Sequence, residues 1–408
     1  MENREIIDID DIEITPMNKL RAPFPYFGGK RKVAHVVWQA LGDVEGYFEP
    51  FGGSLAVYLA RPKEHKKKFE NVNDINGFVI NFWRAVMHSP EKVAFYSSSV
   101  VSELDLAARH LWLVNQYDTL IERLISDPEY YDARVAGYWL FGINAWFGSH
   151  WCGLSEKSWL RVHNNKLAKQ FTFWNPVVRQ HLDYLEEVSM FKESLRYRRA
   201  KINRKRYRKS KTIRLKPISV ENSKYGIHRK VPYSLHHGIN GLKYRDRRLY
   251  FYKNHYAFIS DQLLSLLFNL AERFQNTTIF CGDWKRTVPH AAILAHKTCG
   301  IFLDPPYDSK LRCGQIYSNE HSEGINEEIF DFCMKYGDDP RVRIALAGYE
   351  GEYEFPPSWR VIKWKASVVF QPSKNTNTKN RTENRFKERL WLSPHCLPLK
   401  LKVNNKEI

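Results

Sequence analysis

The spacing of apolar and polar positions divides the chain into two stretches with a strand–helix rhythm and a long segment between them. Lys30–Leu41 carries Val33, Val36, Val37, Ala40 and Leu41 at helical spacing. Gly46–Phe51 reads as a short strand, followed by Gly52-Gly53 and a helix starting near Ser54. Lys67–Asn73 reads as the next strand and Ile75–His88 as the next helix. This alternation predicts a doubly wound, mostly parallel α/β sheet. Residues 1–20 read as a loose tail. From about 92 the rhythm stops. Leu104–Leu124 is helical by pattern, and GYWLFGINAWFGSHWCGLS at Gly137–Ser155 is dense in aromatics and glycine. The rhythm returns after 255, with a helix over Tyr256–Phe274. Strands are expected at Thr277–Cys281, Cys299–Leu303, Arg341–Ala347, Arg360–Lys365 and Arg389–Ser393. One α/β domain, residues 21–91 and 255–395, is therefore interrupted by an insertion over 92–254, with 396–408 as a second tail. An insertion of that size is too long for a plain loop and is the usual carrier of binding specificity.

Charge sharpens the picture. Lys and Arg number 63 against 45 Asp and Glu, a formal +18 with a pI of about 9.5. A field of that sign predicts an anionic polymer as partner, and nucleic acid before a membrane, since no basic amphipathic helix stands out. Much of the charge lies in Phe191–Lys216, where Tyr197 and Tyr207 interleave with the basic residues. No apolar run is long enough to span a bilayer. The opening MENREIIDIDDIEITP lacks the basic and apolar regions of a secretory signal. Six cysteines in 408 residues make no disulfide framework, so reduced thiols in a cytoplasmic protein are expected.

Four short motifs fall at predicted strand ends. EPFGGS, Glu49–Ser54, joins a strand to a helix, where glycines let the backbone approach a ligand. No Gly-Lys-Ser/Thr follows, so it is not a phosphate-binding P-loop. VNDIN places Asp74 after the second strand, where an acidic residue contacts ribose hydroxyls in nucleoside-binding sheets; Asp74 is equally suited to cap the next helix. CGDW ends another strand with Asp283 and Trp284, a carboxylate for an amino group and an aromatic for a ring. In DPPY, Asp304–Tyr307, two prolines stop a buried strand and leave Asp304 on a stiff edge. An exocyclic base amine is a poor nucleophile because its lone pair is delocalised. A carboxylate and a proline carbonyl holding both N–H groups would aim that lone pair at an electrophile, with a tyrosine stacked on the base. Cys281, His290, His296 and Cys299 lack the paired spacing of a zinc module, and this chemistry needs no metal.

Together, PYFGGK (25–30), YFEPFGGSLAV (47–57), NDIN (73–76), CGDW (281–284) and DPPY (304–307) resemble the Dam-like, alpha-class, phage-type DNA adenine N6-methyltransferases, in the family's order. NRFKERLWLSP, Asn384–Pro394, is similar to the family's closing strand region. The resemblance implies a Rossmann-like S-adenosylmethionine-dependent methyltransferase sheet with a large inserted target-recognition domain. It implies S-adenosylmethionine as cofactor and double-stranded DNA as partner, with base flipping. By likeness, Tyr26, Phe27, Gly28, Gly29 and Lys30 shape the methionine side. Glu49, Pro50, Phe51 and Gly53 line the cofactor loop. Asp74 takes the ribose, Asp283 and Trp284 the cofactor adenine. Asp304, Pro305, Pro306 and Tyr307 hold the target adenine, with Asp304 also bordering the cofactor. The setting implied is the cytoplasm of a bacterium or a phage-infected host, with a restriction endonuclease as one counterpart. One departure stands out: Leu55 occupies the second glycine of the family's F-x-G-x-G loop. A cytosine-N4 or RNA amine methyltransferase, or a catalytically silent DNA-binding protein of this fold, would carry the same motifs.

Overall fold

The computed structural model describes residues 6–26, 28–66, 69–99, 101–147, 151–152, 161–163, 166–168, 226–227, 247–252, 255–306, 324–365 and 387–402. In chain order the strands are β1 (Ile6–Asp8), β2 (Gly46–Glu49), β3 (Phe69–Asp74), β4 (Trp146–Phe147), β5 (Arg161–His163), β6 (Lys166–Ala168), β7 (Gly226–Ile227), β8 (Arg247–Tyr252), β9 (His255–Ser260), β10 (Thr277–Cys281), β11 (Cys299–Leu303), β12 (Val342–Tyr349), β13 (Arg360–Lys363) and β14 (Glu388–Leu392). The α-helices are α1 (Ala34–Leu41), α2 (Gly77–His88), α3 (Pro90–Ser97), α4 (Glu103–Ser126), α5 (Ala133–Ala145), α6 (Asp261–Arg273), α7 (His290–Leu294) and α8 (Ile325–Tyr336).

Eight strands form one sheet in the order β1-β13-β14-β12-β11-β2-β3-β10. All neighbours run parallel except β14, which is antiparallel to both β12 and β13. Helices cover both faces, which is why β11 and β14 are buried along their whole length. Strand alternation splits the core in two. Phe302, Ala345 and Ala347 face α1 to α6, whereas Ile301, Leu303, Ile344 and Leu346 face α7 and α8.

The expected strands Thr277–Cys281 and Cys299–Leu303 are observed with those bounds. Three segments differ. No α-helix follows Gly53. Leu55 adopts a left-handed φ of 52°, and the chain runs through a single 3-10 turn, Tyr58–Ala60, before Pro62. Tyr256–Phe274 is not one helix. HYAFIS pairs as β9 with β8, and Ser260 then caps α6 by accepting from Leu263 N–H. The N-terminal stretch is not loose: Ile6–Asp8 pairs with β13, and Ile12 bridges Leu401.

The helices after 90 join the same core. Pro90 opens α3 at the position where its missing N–H costs nothing. Ser102 and Asp132 cap α4 and α5. Val93, Leu113, Leu120, Val135, Trp139 and Leu140 pack in one cluster with α1, α2 and α6. Arg84 of α2 ties the layer together, donating to Ile279 O (2.9 Å), Leu124 O (3.2 Å), Asp127 O (3.0 Å) and Tyr130 O (3.3 Å). The basic run Phe191–Lys216 lies outside the described residues, as do Phe27 and Tyr307. Among the described residues, no helix is long and apolar enough to cross a membrane.

Candidate active site

β2 and β11 are neighbours, yet the chain leaves β2 toward β3 and β10 on one side, while β11 leads to β12 on the other. Such a reversal opens a crevice at the strands' carboxyl ends, where open α/β sheets bind their ligands. The glycine loop leaves β2 at this point and Asp304 leaves β11 at the same point.

The loop is held from three sides. Gly52 N–H donates to Asn73 O (2.7 Å), Gly53 N–H to Asp74 Oδ2 (2.8 Å), and Trp83 Nε1 to Gly53 O (3.0 Å). Gly53 has a φ of 48°, and a Cβ there would sit 2.4 Å from Cε1 of Tyr26. Glycine is therefore required, and the ring of Tyr26 closes PYFGGK onto FGGS. Asn73 Nδ2 donates to both Pro50 O and Gly282 O, each at 3.0 Å. One side-chain amide thus joins the loops after β2 and β10 across β3.

Three carboxylates converge on the crevice. Asp74 is partly buried; its Oδ2 holds Gly53 and its Oδ1 accepts from Asn76 N–H at 2.8 Å. Burial raises its pKa, helped by the negative charge of Asp304. The cap of α2 falls to Asn76, which accepts from Phe78 and Val79 N–H. Ile75 N–H also faces the carboxylate, whose two oxygens together offer about four acceptor directions. Glu49 turns inward: its Oε2 accepts from Tyr47 OH (2.6 Å) and Tyr58 N–H (2.9 Å). Burial pushes its pKa up to about 8, and the charge of Asp304 adds to the rise. Asp304 is partly exposed, and Lys30 Nζ lies 2.8 Å from its Oδ1. Pro305 is buried beside it and Pro306 partly so.

The far end of the crevice is formed by CGDW. Asp283 is exposed and accepts from Lys285 N–H at 2.8 Å. Trp284 is only 5 % exposed; its ring packs 5.9 Å from that of Phe51 and 5.3 Å from that of Phe332. It therefore backs Phe51 from inside. Sequence analysis missed Ile75, which stands 46 % exposed directly after Asp74, and Ile125, 44 % exposed on the last turn of α4. Ile125 approaches Gly282, so an apolar rim borders the acidic crevice. The signal for Ile75 was an apolar residue at a strand end outside the helix's buried face. For Ile125 there was none, because α4 was not expected to reach the site. Among the described residues, no group of three or more His, Cys, Asp or Glu is placed to hold a metal ion.

The arrangement offers a polar cradle, paired acids and apolar edges to a ligand carrying hydroxyls, positive charge and a flat ring. Residues 26–142 match the family model described as D12 class N6 adenine-specific DNA methyltransferase. Over that stretch the chain is similar to that class. No curated protein matches it. The matched region contains the glycine loop, Asp74 and α1 to α4 complete. It runs almost to the end of α5, so the helices that share the sheet's core also share the family's pattern. The chain is an adenine-specific DNA methyltransferase, and DNA is its substrate.

Proposed function

We propose that the protein moves the methyl group of S-adenosylmethionine to N6 of an adenine flipped out of duplex DNA. The observation that carries this is the meeting of Asp304, Asp74 and the Gly52-Gly53 loop at one sheet reversal. The residues fit the cofactor: Asp74 suits the ribose hydroxyls, Asp283 the adenine amino group, and Ile75 and Ile125 the ring. Tyr26, Gly53 and the segment ending at Lys30 border the methionine side. Asp74 and Asp304 set negative potential against its cationic groups, and Glu49 adds to it only where it ionises. When bound, the cofactor supplies an electrophilic methyl group on a sulfonium.

The protein's own contribution is orientation. Asp304 and the carbonyl of Pro305 accept the two amine hydrogens. This frees the lone pair from conjugation with the ring and aims it at the methyl group. The amine loses one proton on methylation. Tyr307 is proposed to stack on the flipped base, and Phe27 to line the methionine side.

We place the start of the inserted target-recognition unit after α5, near Trp146. Most of α2 to α5 packs in the sheet's core, whereas Trp146–Phe147 pairs with Gly226–Ile227. The basic segment within it would neutralise phosphates, so affinity for DNA should fall steeply with salt. The working place is the cytoplasm, and where a restriction endonuclease shares the recognised sequence, that nuclease is the counterpart.

The test is expression in cells lacking adenine methylation, with their DNA digested to nucleosides. N6-methyladenine from the wild type and none from Asp304→Ala is expected. Methylcytosine in place of methyladenine, or equal methylation by the variant, would overturn the proposal.

A further inference from the structure

Lys30 is 4 % exposed, although it follows two exposed glycines. Gly28 has a φ of 74°, and the chain then enters the short 3-10 turn Lys30–Lys32. That path folds the lysine back, so its ammonium donates to Gly28 O at 2.9 Å and lies 2.8 Å from Asp304 Oδ1. Burying an ammonium costs several kcal/mol unless a charge and hydrogen bonds compensate it. The partner it finds is the one carboxylate proposed to touch the target amine.

The other described groups that face Asp304 make its surroundings negative or neutral. They are Glu49 at the end of β2, Asp74 at the end of β3, and Tyr353 in the loop after β12. A carboxylate that must accept amine hydrogens has to be ionised; the charge of Asp74 opposes that, and so does Glu49 once it ionises.

Resting on the proposed reaction, we infer that Lys30 is a positioning residue for Asp304: its ammonium anchors Oδ1, assigns the amine to Oδ2, and keeps the carboxylate charged. Lys30 then belongs to the target-base side of the site as well as to the cofactor side. The plainer alternative is an ion pair that only fastens the PYFGGK segment to β11.

Kinetics separate the two. The full chain is assayed with a labelled cofactor on DNA from cells lacking adenine methylation, from pH 5 to 9. Cofactor affinity comes from tryptophan fluorescence and folding from thermal melts. In Lys30→Met, kcat should fall about a hundredfold, as for loss of one preorganised charged contact, with cofactor affinity within about threefold. Removing the cation raises the pKa of the carboxylate, so the acid limb of kcat should move up by about one pH unit or more. Lys30→Arg keeps the buried charge and therefore the fold. It should keep the wild-type acid limb while losing about tenfold in kcat, because a planar fork cannot reproduce a point contact.

An unmoved acid limb in Lys30→Met, or a loss confined to cofactor affinity, would overturn the role. If Lys30→Met does not fold, Lys30→Arg decides alone: wild-type kcat, or a shifted acid limb, overturns it. Asp304→Ala runs beside both. If that variant is active, the proposed reaction itself fails. If it is inactive while both Lys30 variants match the wild type, only the role of Lys30 fails.

Discussion

Glu49 offers a quantitative test of how dry the crevice floor is. Its pKa stands at about 8 in the folded chain, against 4.5 for an unperturbed glutamate, with burial as the main cause. Between those values the folded state binds a proton that the unfolded state has lost. Its contribution to stability is therefore complete below about pH 4.5 and is lost as pH rises toward 8. At about 1.4 kcal/mol per pH unit, the full span corresponds to about 4 to 5 kcal/mol, an upper figure because local relaxation softens buried charges. Glu49→Gln keeps an oxygen to accept from Tyr47 OH and Tyr58 N–H but cannot ionise. Asp74, also raised by burial, stays in both proteins and cancels from the comparison. Urea unfolding of wild type and variant at pH 5, 6, 7 and 8 gives the difference directly. The variant should gain on the wild type by at least about 1 kcal/mol across that range and approach it in stability at pH 5. A difference constant within about 0.5 kcal/mol would show that Glu49 titrates as if solvated, and the buried network of Tyr47, Glu49 and Tyr58 would have to be redrawn.

Leu55 is 1 % exposed with a left-handed φ of 52°, so it combines packing with backbone strain. Leu55→Ala should be the least stable variant there, with Leu55→Gly above it by about 1 kcal/mol because glycine bears no left-handed penalty; denaturant midpoints decide, and the reverse order refutes it. Arg84→Met strands carbonyls of β10, α4 and the loop after it, and should cost about 3 kcal/mol or more, seen as a lower melting temperature that Arg84→Lys does not restore. Asn73→Asp loses both donations across the loops and should weaken cofactor binding at least about tenfold with the fold kept, measured by titration. Log affinity for duplex DNA should fall linearly with log salt between about 50 and 200 mM, and a flat response would remove phosphate contacts from the account.

The sheet was legible where strands are buried on both faces and bounded by glycine, proline or polar residues. β11 is such a strand; β10 is buried only at alternate positions but is bounded in the same way, and the bounds of both came out as expected. Polar punctuation at their ends also exposed Asp283 and Asp304. The chain after Gly53 was misread because SLAVYLA has helical composition, whereas the left-handed turn at Leu55 has no trace in apolar spacing. β9 was absorbed into a helix because its apolar residues run on into those of α6. β1 is three residues long and exists only because β13 offers it an edge, which is tertiary information. Helical spacing in 104–124 announced α4 but not what it packs against. The partner of Lys30 lies in the far half of the chain, so proximity to glycines was all the sequence offered.

Asn73 has a consequence for the order in which the enzyme comes into being. Its amide spans Pro50 and Gly282, and the latter is 209 residues further along. At about 5 to 20 residues per second, a ribosome needs roughly ten to forty seconds to deliver that second acceptor. β2 and β3 meanwhile lack their neighbours β11 and β10, and present open parallel edges. The nascent chain therefore carries the basic run Phe191–Lys216, proposed to neutralise phosphates, well before a methylating centre exists. A newborn molecule can meet DNA, but the catalytic centre closes only when the last third of the polypeptide threads into the middle and the edge of a half-built sheet.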